Sequence, residues 1–349
     1  MTAPRTGRRA RGASAAGALL ALTLALAGCA PSAPGSVPGG TAAVQREAAD
    51  RPAGAGTGAA PARDLAGAAG AAGKTAATSS CGDPTASYAP DGDLPSPADL
   101  PAGSTMAKIR ERGALRVGVS ADTLLMGSRN PLDGEIEGFD IDVLHAVSDA
   151  IFGDPDRLQF KVITSDQRIG VLESGEVDLV ARAFTITCDR WEQIAFSSVY
   201  YRAGQKLLVP RGSGATTFDD LAGKRVCAPE GTTTLASLDA HPGVVPVPAA
   251  THTQCLVLFQ QGKVDAITGD DTILAGFARQ DPYTTVVGDA LSDEPYGVGV
   301  NKDQVDLVRF VNAVLETMRD DGTWEKSYQR WLGSLGSAQP PRPTYGREP

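Results

Sequence analysis

The chain has 349 residues, 42% hydrophobic and 21% charged, an ordinary balance for a soluble protein with room for more than one domain. A formal net charge of -9, with no basic stripe to neutralise phosphates, argues against nucleic acid as a partner. An acidic chain can still hold local arginines in a site for a small ligand.

The first residues read as a leader rather than as fold. Arg5, Arg8, Arg9 and Arg11 form a basic start. An apolar run over residues 17–27 follows, short of the ~20 residues a bilayer span requires. It ends Leu26-Ala27-Gly28-Cys29, which resembles a bacterial lipobox. On that reading residues 1–28 are a lipoprotein signal peptide, and Cys29 is lipidated and holds the chain to the membrane. A plain secretory signal with a chance cysteine is the competing reading. No later stretch approaches the length of a span. Residues 29–80, mostly Ala, Gly, Pro, Ser and Thr, cannot bury enough surface to offset chain entropy and read as a disordered tether. Residues 338–349, rich in proline, read as a disordered tail.

With Cys29 set aside, Cys81, Cys188, Cys227 and Cys255 remain. An even count in an exported chain suggests two disulfides, and spacing does not choose among the three pairings. A zinc site is the weaker alternative. There is no CxxC pair, and His145, His241 and His252 are scattered. No metal or other cofactor is expected.

Along the folded part, Leu115, Val117 and Val119 alternate as a strand. Asn130-Pro131 and Asp133-Gly134 mark a hairpin turn. Ile141, Leu144, Val147 and Ile151 have helical spacing, with Asp140 placed to cap the helix. A strand over 159–164, a short helix ending at Gly175 and a strand over 177–180 complete a β-α-β-α-β unit, which implies a parallel sheet. A looser repeat follows. Helices are expected over 218–221, from Gly231, over 255–260 and over 272–280, and strands over 224–228, 245–247 and 264–267. Extended segments at 205–209 and 297–300 read as crossings between two α/β halves. The last helices carry Phe310, Val314, Leu315, Met318, Trp324, Tyr328 and Trp331 as core. The fold class is therefore α/β, a two-lobed clamshell with two extended interlobe crossings. Lobe 1 takes residues 81–204 and 297–337, and lobe 2 takes 205–296. The site is expected in the cleft, where strand ends and helix starts converge.

Ordered motifs over about residues 105–334 carry a resemblance. They include Leu115-Arg116-Val117-Gly118-Val119, Gly138-Phe139-Asp140-Ile141-Asp142, Gly175-Glu176-Val177-Asp178, Thr185-Ile186-Thr187-Cys188-Asp189-Arg190, Phe196-Ser197-Ser198-Val199-Tyr200-Tyr201, Gly231-Thr232-Thr233, Val264-Asp265-Ala266 with Asp270, and Tyr296-Gly297-Val298. Together they resemble the bacterial extracellular solute-binding proteins of family 3, with the periplasmic-binding-protein fold. The likeness is greatest to the actinobacterial glutamine- and glutamate-binding lipoproteins. The resemblance implies that Arg190 takes a ligand α-carboxylate, a two-point fit for a planar guanidinium. Thr185 and Thr233 would assist it, and Asp270 would hold the α-ammonium. Each has a blander role available: a surface ion pair for Arg190, a helix cap for Asp270 and for Thr233. Arg168 and Arg182 would face the ligand side chain, unless Arg182 is only a solvated strand end. Ser120 stands where amide-binding relatives often carry an acid, with Asp122 two residues on. Arginines without an opposing acid favour glutamate or aspartate over glutamine or asparagine. Subgroup likeness also implies the pairs Cys227–Cys255 and Cys81–Cys188.

The resemblance implies a receptor for a polar amino acid that serves the permease of an ABC importer. A receptor that signals through a transmembrane sensor is the alternative. An enzyme, such as a dehydratase on the same scaffold, is the remote one, since no GxSxG or HExxH motif is present. Closure is expected as a hinge motion at the crossings.

Overall fold

A computed structural model of the chain describes residues 81–348. The expected signal peptide, Cys29 and the expected tether up to residue 80 lie outside the described residues. Among the described residues no helix is long and apolar enough to cross a membrane.

Lobe 1 opens with β1 (Ala86–Ser87), α1 (Thr105–Arg112) and β2 (Leu115–Val119). A small sheet of β3 (Asp122–Thr123), β4 (Gly127–Arg129) and β5 (Ile136–Glu137) includes the expected turn. Then come α2 (Phe139–Phe152), β6 (Leu158–Val162), α3 (Gln167–Glu173), β7 (Leu179–Val180), α4 (Cys188–Trp191) and β8 (Ile194–Phe196). The long strand β9 (Tyr201–Pro210) enters lobe 2. There β10 (Arg225–Pro229), α5 (Thr233–Ala236), β11 (Val245–Ala249), α6 (His252–Gln260), β12 (Ala266–Asp270), α7 (Asp271–Gln280) and β13 (Thr284–Val287) follow. The strand β14 (Asp293–Tyr296) leads back to β15 (Gly299–Asn301), α8 (Val305–Asp320) and α9 (Thr323–Trp331), and β16 (Thr344–Tyr345) ends the chain.

Lobe 1 holds a five-stranded mixed sheet ordered β6-β2-β7-β15-β8, and lobe 2 a six-stranded one, β11-β10-β12-β9-β13 with β14 also paired to β9. The strand period of two sorts side chains to the two faces. In lobe 2, Leu207, Val209, Val226 and Ala228 pack on one face, and Leu208, Cys227 and Ile267 on the other. Lobe 1 does the same, with Val117 and Val119 against α2 and α8, and Val180 and Ile163 against Phe184 and Phe196.

The crossings lie one step away from the expected positions. Residues 205–208 of β9 already pair with β12, and residues 299–301 pair with β7 and β8, so both stretches belong to lobe sheets. The link between lobes is the antiparallel pair of residues 201–204 with β14. Asp140 does not cap α2. Gly138 takes the cap position at φ +146°, where a Cβ would fall 2.3 Å from the Met126 carbonyl oxygen. Asp140 is instead buried, accepting from the Ala183 amide and the Tyr200 hydroxyl.

The tail is a further correction. Residues 344–345 add to β1 as a parallel strand, Arg319 donates to the Pro341 carbonyl at 3.1 Å, and the Tyr345 hydroxyl donates to Glu316 at 2.7 Å. The tail's prolines lie outside the paired residues 344–345, which keep their backbone donors, and Arg319 and Glu316 hold the tail to α8. The disulfides are Cys81–Cys188 and Cys227–Cys255, with Cα separations of 5.4 and 5.6 Å.

Candidate ligand-binding site

Three guanidiniums enter the cleft from lobe 1, Arg168 from α3, Arg182 just after β7 and Arg190 from α4, and all are buried. A buried cation needs acceptors, and here most are backbone carbonyls. Arg168 donates to Ser165 at 2.7 Å, to Ala183 at 3.1 Å and across the cleft to Gly231 at 2.9 Å. Arg190 donates to the Thr185 carbonyl and, at 3.0 Å, to the same Gly231 carbonyl. Arg182 donates to the Ile163 carbonyl at 2.8 Å and to the Ser165 hydroxyl. The Phe184 ring carries two of these cations, Arg168 at 4.3 Å and Arg190 at 5.0 Å from its centroid. Burial, then the charges of Arg190 and Arg182, pull Arg168 well below the usual guanidinium range. Burial lowers Arg190 to about 10 against the opposing pull of Glu294 and Asp270.

Lobe 2 supplies the opposite charge. Asp270 ends β12, and its side chain makes no capping bond to α7. Its Oδ2 accepts from the Tyr296 hydroxyl at 2.5 Å, while its Oδ1 is buried with no partner. Burial, and then the charge of Glu294, push the Asp270 carboxyl up to about 7. Glu294 on β14 is also buried and accepts from the hydroxyls of Thr233 at 2.7 Å and Ser292 at 2.6 Å. His252 opens α6, buried with its Nε2 unpartnered. Burial, with Arg182 and Arg168 nearby, drives the imidazole down to about 3, so it is neutral.

These groups close around a space of only about 10 Å³, lined by Ser165, Arg168, Arg182, Ala183 and Thr185 from lobe 1 and by Thr232, Thr233, Thr234, His252, Asp270 and Ile273 from lobe 2. A larger hollow of about 530 Å³ lies on lobe 1 between α2, α8 and α9, more open to solvent and without converging buried charges. The cleft is thus the candidate, with a cationic wall and an anionic corner at Asp270, with Glu294 behind Thr233.

Of the seven residues expected from sequence, Arg168, Arg182, Thr185, Thr233 and Asp270 line the cavity. Arg190 is not among the lining residues; it donates to the Thr185 and Gly231 carbonyls beside them. Ser120 is not among the lining residues, because its hydroxyl is taken up by Asp122 and Thr123 at the root of the β3–β4 hairpin, each at 2.8 Å. Arg182 is not a solvated strand end, and Thr233 is not the cap of α5: Thr232 accepts from the Leu235 amide there. Sequence reasoning missed Glu294, His252 and Phe184. Glu294 stands two residues before Tyr296 on one strand, so period two puts both on one face.

Residues 115–334 match the model of the bacterial extracellular solute-binding proteins, family 3. The chain belongs to that family. This solute-binding protein is 36% identical over 230 residues to the ABC transporter glutamine-binding protein GlnH of Bacillus subtilis, covering 65% of this chain and 84% of the relative. It is 33% identical over 236 residues to the glutamate-binding protein GluB of Corynebacterium glutamicum, covering 64% and 80%. Among solved structures it is similar to the ancestral amino acid-binding protein AncCDT-1, a precursor of cyclohexadienyl dehydratase. That match has a TM-score of 0.61 and 31% identity, and covers 66% of this chain and 100% of the other.

Proposed function

We propose that this family member is a receptor that closes its lobes on a polar amino acid and delivers it to an ABC importer, held to the membrane by lipid on Cys29. The observation that carries the reading is the charge arrangement of one closed cleft. Arg190 stands on lobe 1, and Asp270 stands on lobe 2 with a buried oxygen that lacks a partner. An α-ammonium would satisfy that oxygen and return Asp270 to its ionised form. An α-carboxylate would replace the Gly231 carbonyl as acceptor for Arg190, in the charge-assisted geometry guanidinium prefers. The likeness to GlnH and GluB supports both an amino-acid ligand and an importer as partner.

The remaining wall of the cavity faces the ligand side chain. Two further guanidiniums, Arg168 and Arg182, stand there beside the neutral His252. Asp270 and Glu294 serve the ammonium end, so the extra positive charge favours a second carboxylate, glutamate or aspartate, over the amides. Titration calorimetry against glutamate, aspartate, glutamine and asparagine tests this. Tighter binding of an acid than of its amide is expected. Tighter binding of the amide would overturn the preference, and silence toward all four would overturn the receptor reading.

A further inference from the structure

An aromatic column runs from the tail to the ligand arginines. At its outer end the Arg347 guanidinium lies 3.7 Å from the centroid of Trp191. Trp191 meets Phe196 edge-on at 5.6 Å, and Phe196 meets Phe184 edge-on at 4.9 Å. Phe184 in turn underlies Arg168 and Arg190. Trp191 is the residue after Arg190 on the same short helix.

That helix has little to hold it in place by itself. It has four residues, and an isolated turn of helix is not stable in water. Its fixings come from both ends of the described chain. Cys188 is bonded to Cys81, and the Trp191 indole N–H donates to the Pro84 carbonyl at 2.8 Å. The segment that supplies these two contacts continues into β1, which pairs with β16 of the tail. Arg347 locks the pair, since its Nε donates to the Ala86 carbonyl at 2.7 Å while its plane covers Trp191. Asn312 on α8 donates to Ser87 and to the Tyr88 carbonyl, which ties the same strap to the lobe core.

We infer that the C-terminal tail is a clasp that positions Arg190: β16 and Arg347 press the 81–88 strap and Trp191 onto α4, and so fix the guanidinium that meets the ligand carboxylate. Arg347 and Trp191 are positioning residues and touch no ligand. Cation–π contact and β-pairing at the tail limit the freedom of α4, and a site whose donors are fixed before binding loses less on binding. The effect on ligand rests on the amino-acid reading above, whereas the ordering of α4 does not.

The test uses three chains: wild type, one ending at Pro343, and Arg347→Ala. Hydrogen exchange on the ligand-free proteins reads the clasp directly. Amides over 186–191 should exchange faster in both variants, while those of β10 and β12 in lobe 2 stay unchanged. Calorimetry with L-glutamate should then show affinity about tenfold lower in the shortened chain, the size of a coupling between residues in one contact network. Glutamate 1-amide, which lacks the α-carboxylate, should bind all three chains alike. Arg347→Lys should restore part of what Arg347→Ala loses. Unchanged exchange over 186–191 would overturn the clasp. So would wild-type affinity for L-glutamate in the shortened chain, where the wild type binds it. If the wild type ignores glutamate and glutamine while exchange over 186–191 still rises on shortening, the ligand reading fails and the clasp stands.

Discussion

Closure can be blocked without harming either lobe by changing one glycine. Gly276 lies in α7 of lobe 2, and an added Cβ would fall 2.7 Å from the Leu124 carbonyl oxygen of lobe 1. Carbon–oxygen contacts of this kind settle at about 3.3–3.6 Å. The neighbour is backbone, so the lobes would have to part at this point by several tenths of an ångström. Inserting one methyl into a tight contact costs about 1–3 kcal/mol, or roughly 5- to 150-fold in an equilibrium constant. Because the contact exists only when the lobes meet, that cost falls on the closed state. The same change favours the helix, since Ala exceeds Gly by about 1 kcal/mol in a helix interior. Gly276→Ala should therefore weaken ligand affinity while the ligand-free protein melts at the same temperature or higher. Calorimetry and thermal denaturation read the two effects separately. Gly170→Ala in α3 is the control, because its Cβ would meet nothing within 4 Å, and affinity should hold. Wild-type affinity in Gly276→Ala would refute the reasoning, and so would a loss of both affinity and stability.

Arg190→Ala should abolish measurable amino-acid binding while circular dichroism shows the fold intact; near wild-type affinity would remove Arg190 from the site. With Asp270 held at about 7 by burial and Glu294, binding of an ammonium should release a proton below that pH. Affinity should then rise about tenfold per unit up to pH 7 and level off above it, with calorimetric heats that depend on the buffer at pH 6 and not at pH 8. The linked stability has the opposite sense: a raised carboxyl stabilises the ligand-free fold below its unfolded value near 3.8, and that contribution is lost as pH rises through about 7. Asp270→Asn should flatten both profiles. His252→Leu should stabilise the ligand-free chain by about 1 kcal/mol, since it removes an unpartnered buried nitrogen, yet weaken binding by about tenfold through loss of one hydrogen bond. Replacing Cys227 and Cys255 by Ser frees a loop with a separation of 28 residues and should cost about 3–4 kcal/mol in denaturant titration, with ligand preference unchanged.

The lobes were legible in the sequence because their signals are local. Alternation at 115–119 and helical spacing at 141–151 each predict an element that the structure contains. The crossings were misplaced because extended backbone looks alike whether it pairs within a lobe or between lobes. Only partner strands distinguish 201–204 from 205–209, and those lie some sixty to ninety residues away. Asp140 failed as a cap for a related reason: its partners, Ala183 and Tyr200, come from elsewhere in the chain. The tail was misread from composition, which registers the scarcity of large apolar side chains and not the stacking of one arginine on one tryptophan. His252 and Glu294 belong to no motif of their own. Their meaning comes from burial beside charges contributed by other segments.

The role of Gly231 joins these observations. Among the described residues it is the one carbonyl that accepts from both Arg168 and Arg190, and it belongs to the opposite lobe. Its φ of +70° turns that carbonyl toward lobe 1, and a Cβ there would fall 2.6 Å from the Asp166 Cα. Across the cleft, two charged donors of lobe 1 thus share one neutral acceptor of lobe 2. A ligand carboxylate offers the same donors a charged acceptor, and charge-assisted bonds are about twice as strong as neutral ones. What the ligand adds to closure is then the difference between two sets of bonds, not the whole of either. Such a cleft closes weakly when empty and firmly when filled, which is the behaviour a delivery receptor needs if its partner is to distinguish the two states.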